Sequence, residues 1–87
     1  MEKKVVIINE KGLHVRSVGE FVSKTKDFKS KVEIQFNDKI VNGKSVMMVM
    51  TLGAKLGDEI IVRTEGEDAE PALNALVELV ENGFGEE

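Results

Sequence analysis

The chain has no cysteine, tryptophan or tyrosine, and only one proline and one histidine in 87 residues. Without thiols it can form neither a disulfide nor a thiolate metal site, a composition that fits a reducing compartment. No apolar run approaches the ~18 residues needed to span a bilayer. The start, Met1-Glu2-Lys3-Lys4-Val5-Val6-Ile7-Ile8, holds two lysines and then four apolar residues. A secretory segment carries about 7–15 apolar residues before a small-residue cleavage site, so the expectation is a cytoplasmic protein without a signal peptide. Lacking Trp and Tyr, with a pI near 5.0, the chain is a poor candidate for reading nucleic acid. No grouping of His with carboxylates suggests a metal site, and no cofactor motif is present. Gly43-Lys44-Ser45 resembles the end of a phosphate-binding P-loop, but that motif needs glycine where this chain has Asp38.

What the chain does have is an ordinary globular composition, 41% hydrophobic and 32% charged. Its length fits one compact domain over residues 1–87. The net charge of −4 is unevenly placed. Residues 1–31 carry Lys3, Lys4, Lys11, Arg16, Lys24, Lys26, Lys29 and Lys31 against Glu2, Glu10, Glu20 and Asp27, whereas the remainder is strongly acidic. A basic third can steer an acidic protein partner; lysines on any solvated face give the same pattern.

Periodicity supplies the elements. Val5-Val6-Ile7-Ile8 is a short β-branched run that reads as a strand. Asn9-Glu10-Lys11-Gly12 is a loop. Val15, Val18, Phe21, Val22, Thr25 and Phe28 recur at three- and four-residue spacing, which predicts a helix over roughly 15–27. Val32, Ile34 and Phe36 alternate with Glu33, Gln35 and Asn37 as a half-buried strand does. Asn37-Asp38 is turn chemistry, and Lys39-Ile40-Val41 can return as a hairpin partner. Val46 to Leu52 reads as a short apolar helix capped by Ser45 and stopped at Gly53. Glu59 to Glu65 reads as a strand. Ala69, Leu73, Leu76, Val77 and Val80 mark a last helix from about Asp68 to Glu81, with Pro71 in its first turn. The order β-α-β-β-α-β-α points to an α+β fold, an antiparallel sheet with helices on one face. Strand order does not follow from periodicity.

His14 sits in a loop just ahead of the first helix, with Arg16 two residues on. A helix N-terminus offers unpaired N–H groups and a favourable dipole to an anion. A phosphoryl group on an imidazole nitrogen would be such an anion, and Arg16 could hold it through charge-assisted bonds. Neutral imidazole is a competent nucleophile near pH 7. An ordinary exposed histidine beside a surface arginine would look the same, so the pair by itself leaves both readings open.

The segment Gly12-Leu13-His14-Val15-Arg16 resembles the active-site signature of the histidine-containing phosphocarrier (HPr) family of the bacterial phosphotransferase system, usually Gly-hydrophobic-His-Ala-Arg-Pro-Ala. The stretch Val41 to Gly53, with Ser45, is similar to that family's second signature. Gly57-Asp58-Glu59-Ile60 and the segment Gly66 to Leu76 extend the resemblance over essentially the whole chain. The resemblance implies an open-faced β-sandwich, βαββαβα, with a four-stranded antiparallel sheet in the order 1-4-2-3 covered on one face by three helices. It further implies that His14 takes a phosphoryl group on Nδ1 from phosphorylated Enzyme I and passes it to an enzyme IIA component. Arg16 would neutralise the phosphate, with Val15 and Ser17 beside it. Leu13, Val46, Met47 and Met50 would form the apolar docking surface, and methionines repack easily for several partners. Ser45 matches a serine that HPr kinase/phosphorylase modifies in Gram-positive relatives, though a plain helix cap is an equal reading. A monomer, acting stoichiometrically rather than as an enzyme, completes the expectation.

The chain also departs from the pattern. Ser17 and Val18 stand where the family has Pro-Ala, and Met48 replaces a common glycine. Ser17 could act as a cap or donate its hydroxyl to the phosphate. The ending Glu81 to Glu87 resembles the nitrogen-related branch of the system, without deciding between it and the sugar branch. The competing class is a non-catalytic regulatory or protein-binding domain of the same fold, including a regulatory nitrogen-branch paralogue; fold by itself does not decide between them.

Overall fold

The structure is a computed structural model that describes residues 1–86. Among these, four strands and three α-helices follow in the order β1 (Glu2–Val6), α1 (Val15–Thr25), β2 (Lys31–Phe36), β3 (Lys39–Asn42), α2 (Val46–Met50), β4 (Glu59–Glu65) and α3 (Ala69–Glu81). A short 3-10 turn, Gly83–Gly85, ends the fold. The strands make one sheet in the order β1-β4-β2-β3, and every neighbouring pair is antiparallel. This is the open-faced α+β sandwich that the resemblance implies.

Alternation explains which face of the sheet is covered. Ile34 and Val62 lie opposite one another across β2 and β4, and both are fully buried, as are Val32 and Ile60. Val5 and Ile7 extend the same layer from β1, and Val41 from β3. Onto it pack Val18, Phe21 and Val22 of α1, Val49 of α2, and Leu73, Leu76, Val77 and Val80 of α3. Each large apolar side chain so removed from water contributes about 1.5–3 kcal/mol. Polar groups inside the layer are bonded locally: Thr25 Oγ1 donates to the Val22 carbonyl and Thr64 Oγ1 to that of Ala69.

β1 begins and ends earlier than its apolar run. Glu2 pairs with Arg63 and Val6 with Glu59, and the Arg63 guanidinium donates to the Glu2 carboxylate at 2.7 Å. Strand limits here follow the backbone of the partner strand, not side-chain polarity. Ile7 still donates to the Asp58 carbonyl at 2.9 Å and accepts from Gly57 at 2.8 Å, which ties the loop before α1 to the loop before β4. Val15, expected on the apolar stripe of α1, is instead exposed. It opens the helix, one turn ahead of the residues that meet the sheet.

The start of α3 is joined to the segment before β2 by an acidic clasp. Asp68 does not cap its own helix. Its carboxylate accepts from the backbone N–H groups of Lys29 and Ser30, both at 2.9 Å, and from the Ser30 hydroxyl at 2.5 Å. The Ser30 hydroxyl bond is the main reason the Asp68 carboxyl is held below its ordinary value of 3.8, with the Lys29 N–H next. No helix among the described residues is long and apolar enough to cross a membrane.

Candidate functional site

The loop that leads into α1 is held from three directions. Gly12 takes a positive φ of 66°, donates to the Asn9 carbonyl, and is followed by Leu13, whose N–H donates to Ala54 at 3.0 Å. The Gly12 carbonyl accepts from Asn9 Nδ2 and from Ser17 Oγ, each at 2.8 Å. His14 then stands at the N-cap of α1 in an extended conformation. Ser17 Oγ accepts from the His14 backbone N–H at 3.0 Å, and the first intrahelical bond runs from Val18 to the His14 carbonyl. A hydroxyl three residues into a helix that reaches back to the cap residue is a common helix-start device.

The imidazole is partly exposed, and its two nitrogens face different partners. Nδ1 accepts from the Arg16 backbone N–H at 3.4 Å, so it lies at the first turn of α1, where N–H groups and the helix dipole favour negative charge. Nε2 lies 2.7 Å from Glu86 Oε2. Glu10, Lys11, His14, Arg16, Gly85 and Glu86 line an open cleft around the ring. Burial would raise the Glu86 carboxyl, but bonds from Asn9 and His14 and the charges of His14 and Arg16 outweigh it, and the group is held below its ordinary 4.5.

His14 and Arg16 are thus brought together as expected, with the Val15 backbone between them. Two expected site residues are placed otherwise. Ser17 is completely buried; its hydroxyl is committed to Gly12 and His14 and is not presented to a phosphate. Leu13 is 8% exposed and packs in the core, so it offers no docking area; its N–H bond to Ala54 turns the side chain inward. Met50 is partly buried against the same core. On α1 and α2 the large apolar groups that do face solvent are Val15, at 71% exposure, Met47 at 79%, and Val46 and Met48 on either side of Met47 in sequence. α1 and α2 pack against one another. Val15 and Met48 were not singled out as docking residues from sequence; their position in the first turn of a helix, before its buried stripe is established, is the signal that finds them. Ser45 caps α2, its Oγ accepting from Met48 N–H at 3.3 Å. Glu86 and Asn9 also carry no motif that marks them.

Fold and site together define a class: a small α+β open-faced sandwich with a single histidine capping its first helix. Comparison with known proteins narrows it. The family described as the PTS HPr component phosphorylation site matches residues 1–82. Phosphocarrier protein HPr of Neisseria meningitidis is 41% identical over 86 residues, covering 99% of this chain and 97% of that protein. The crystal structure of HPr-C-His from Thermoanaerobacter tengcongensis superposes with a TM-score of 0.96 at 40% identity, over 100% of this chain and 98% of the other. An HPr dimer from the same organism superposes at 0.80 and 39% identity, over 99% and 100%. The chain belongs to the HPr family of phosphocarrier proteins.

Proposed function

We propose that this chain carries a phosphoryl group on His14 Nδ1, taking it from phosphorylated Enzyme I and passing it to an enzyme IIA component of a phosphotransferase system. The observation that carries the reading is the placement of Nδ1 against the first-turn N–H of Arg16 at the N-terminus of α1. Phosphoryl transfer needs chiefly positioning and charge neutralisation. The lone pair of Nδ1 attacks phosphorus, the bond from phosphorus to the donor nitrogen breaks, and the three phosphoryl oxygens come to rest where helix N–H groups and the exposed Arg16 guanidinium offer positive charge. The backbone N–H groups of Val15, Arg16 and Ser17 are the donors that the helix leaves for them. The reverse sequence delivers the group to the acceptor histidine.

Docking in this reading falls to Val15, Val46, Met47 and Met48, with Met50 supporting them from beneath. The basic character of the first third adds attraction for an acidic partner. Ser45 serves as the cap of α2, and its half-exposed hydroxyl is open to an HPr kinase/phosphorylase. The proposal treats residues 1–87 as one cytoplasmic carrier domain that acts stoichiometrically as a monomer; the dimeric relative makes oligomeric state a companion measurement.

The test is intact-mass analysis after incubation with phosphoenolpyruvate and Enzyme I, with His14→Ala as control. The expected result is one acid-labile phosphoryl adduct on the wild type and none on the variant. No adduct with several active Enzyme I homologues, the nitrogen-branch form included, would replace this reading with that of a binding module.

A further inference from the structure

We propose that Glu86 is a positioning residue for His14: its carboxylate holds the Nε2–H of the ring and thereby confines phosphoryl chemistry to Nδ1. The inference rests on the phosphocarrier reading and assigns a role to a residue outside the segment matched by the family, which ends at residue 82.

Two independent contacts on the ring specify the same tautomer. A backbone N–H can only donate, so Nδ1, facing that of Arg16, must be the nitrogen with the free lone pair. An ionised carboxylate can only accept, so Nε2, 2.7 Å from Glu86 Oε2, must carry the proton. The low titration of Glu86 noted above keeps it ionised at neutral pH. The two bonds differ in strength. At 3.4 Å the Nδ1 contact is long and easily given up to an incoming phosphoryl group, whereas the Nε2 contact is short and charge-assisted.

Glu86 is itself held. Its other oxygen, Oε1, accepts from Asn9 Nδ2 at 3.1 Å. Asn9 is 2% exposed and uses the same amide to bind the Gly12 carbonyl at 2.8 Å, two residues from His14. The tail that brings Glu86 back to this loop is pinned by Phe84, buried in the core. The chain Asn9–Glu86–His14 therefore orients the imidazole from the side opposite the phosphate site, as a carboxylate behind a histidine does in other reactive centres.

The bookkeeping of the transfer agrees. When the Nδ1–P bond forms and the donor's N–P bond breaks, no proton needs to move: Nε2 keeps its hydrogen, the ring becomes a phosphoimidazolium, and the Glu86 carboxylate neutralises it. On transfer to the acceptor the N–P pair returns to Nδ1 and the ring leaves as neutral imidazole. Around the ring, Glu86 faces it from the C-terminal segment and Arg16 from α1, and Glu10 and Lys11 line the same cleft.

The test uses phosphoramidate, a small phosphoryl donor that needs no protein partner, with the wild type, Glu86→Ala and Glu86→Gln. The position of the adduct is read by nitrogen–phosphorus coupling in NMR, and amide spectra confirm that each variant is folded. The wild type should react at Nδ1 only. Glu86→Ala frees Nε2 and should give an Nε2 adduct beside a roughly tenfold slower reaction at Nδ1, the loss typical when an orienting partner on the second ring nitrogen is removed. Glu86→Gln keeps the Asn9 bond but turns an amide N–H toward Nε2, and should shift reaction further to that nitrogen. Exclusive Nδ1 reaction at the wild-type rate in both variants would overturn the proposal, as would a mixture of adducts on the wild type. A wild type that reacts with phosphoramidate at Nδ1, loses this selectivity in both variants, and takes nothing from Enzyme I would uphold the role of Glu86 while overturning the carrier reading.

Discussion

Gly12 is where the fold and the site depend most directly on one another, and replacing it with alanine should be costly for two separable reasons. Its φ of 66° is a left-handed conformation, which costs an L-residue roughly 1–2 kcal/mol. A Cβ built there would lie 2.6 Å from the Ala54 carbonyl oxygen and 2.7 Å from Lys55 Cα. Both are backbone atoms, so nothing flexible can swing aside, and forced overpacking of this kind costs typically ~1–3 kcal/mol more. Gly53 supplies the control: its φ is 67°, and a Cβ there meets nothing within 4 Å, so Gly53→Ala should lose only the first term. A domain of this size is stable by about 4–13 kcal/mol, so a loss near ~3 kcal/mol would lower a urea midpoint by about 2 M at an m-value of ~1.5 kcal/mol/M. Urea unfolding followed by far-UV circular dichroism reads both variants. Gly12→Ala should fall well below Gly53→Ala, and its phosphoryl acceptance should fall beyond the loss of folded protein, because the same loop aims His14. Equal midpoints for the two variants would refute the steric argument, and wild-type acceptance by folded Gly12→Ala would refute the link to the site.

Other variants test the remaining parts. Ser17→Ala strips a buried hydroxyl from Gly12 and His14 and should cost about 1–2 kcal/mol in denaturant unfolding, in the range for a lost helix-start bond. Leu13→Ala should cost about 2–5 kcal/mol as a core truncation, whereas Met47→Ala should stay within ~0.5 kcal/mol yet weaken Enzyme I association in calorimetry; the reverse pattern would exchange their roles. The Asp68 clasp contributes stability that is fully present above the ordinary value of 3.8 and is lost as pH falls through the lower folded-state value. The stability gap between wild type and Asp68→Asn should accordingly be constant at neutral pH and narrow only below about pH 4, as followed by thermal melts across pH 2–7.

Most of the element order, and the pairing of His14 with Arg16, was legible in the chain. Both depend on neighbours in sequence: a 3.6-residue stripe through Val18, Phe21 and Val22 makes α1, alternation through Val32 and Ile34 makes β2, and a residue just ahead of a helix stripe becomes its cap. The family signature added the strand order. Leu13 and Val15 were misjudged for one reason. In a loop, or in the first turn of a helix, periodicity has no phase, and the direction of a side chain is set by what the backbone bonds to, here Leu13 N–H to Ala54.

Sequence by itself thus determined the class of fold and the placement of His14 and Arg16 at the start of α1, because periodicity and capping are encoded by neighbours in the chain. Tertiary structure alone decided that Asp68 clasps the approach to β2 and that Glu86 stands behind His14. These contacts join residues 38 to 77 positions apart, and such pairs leave no periodic or compositional trace: they exist only once burial of the core has brought distant segments together.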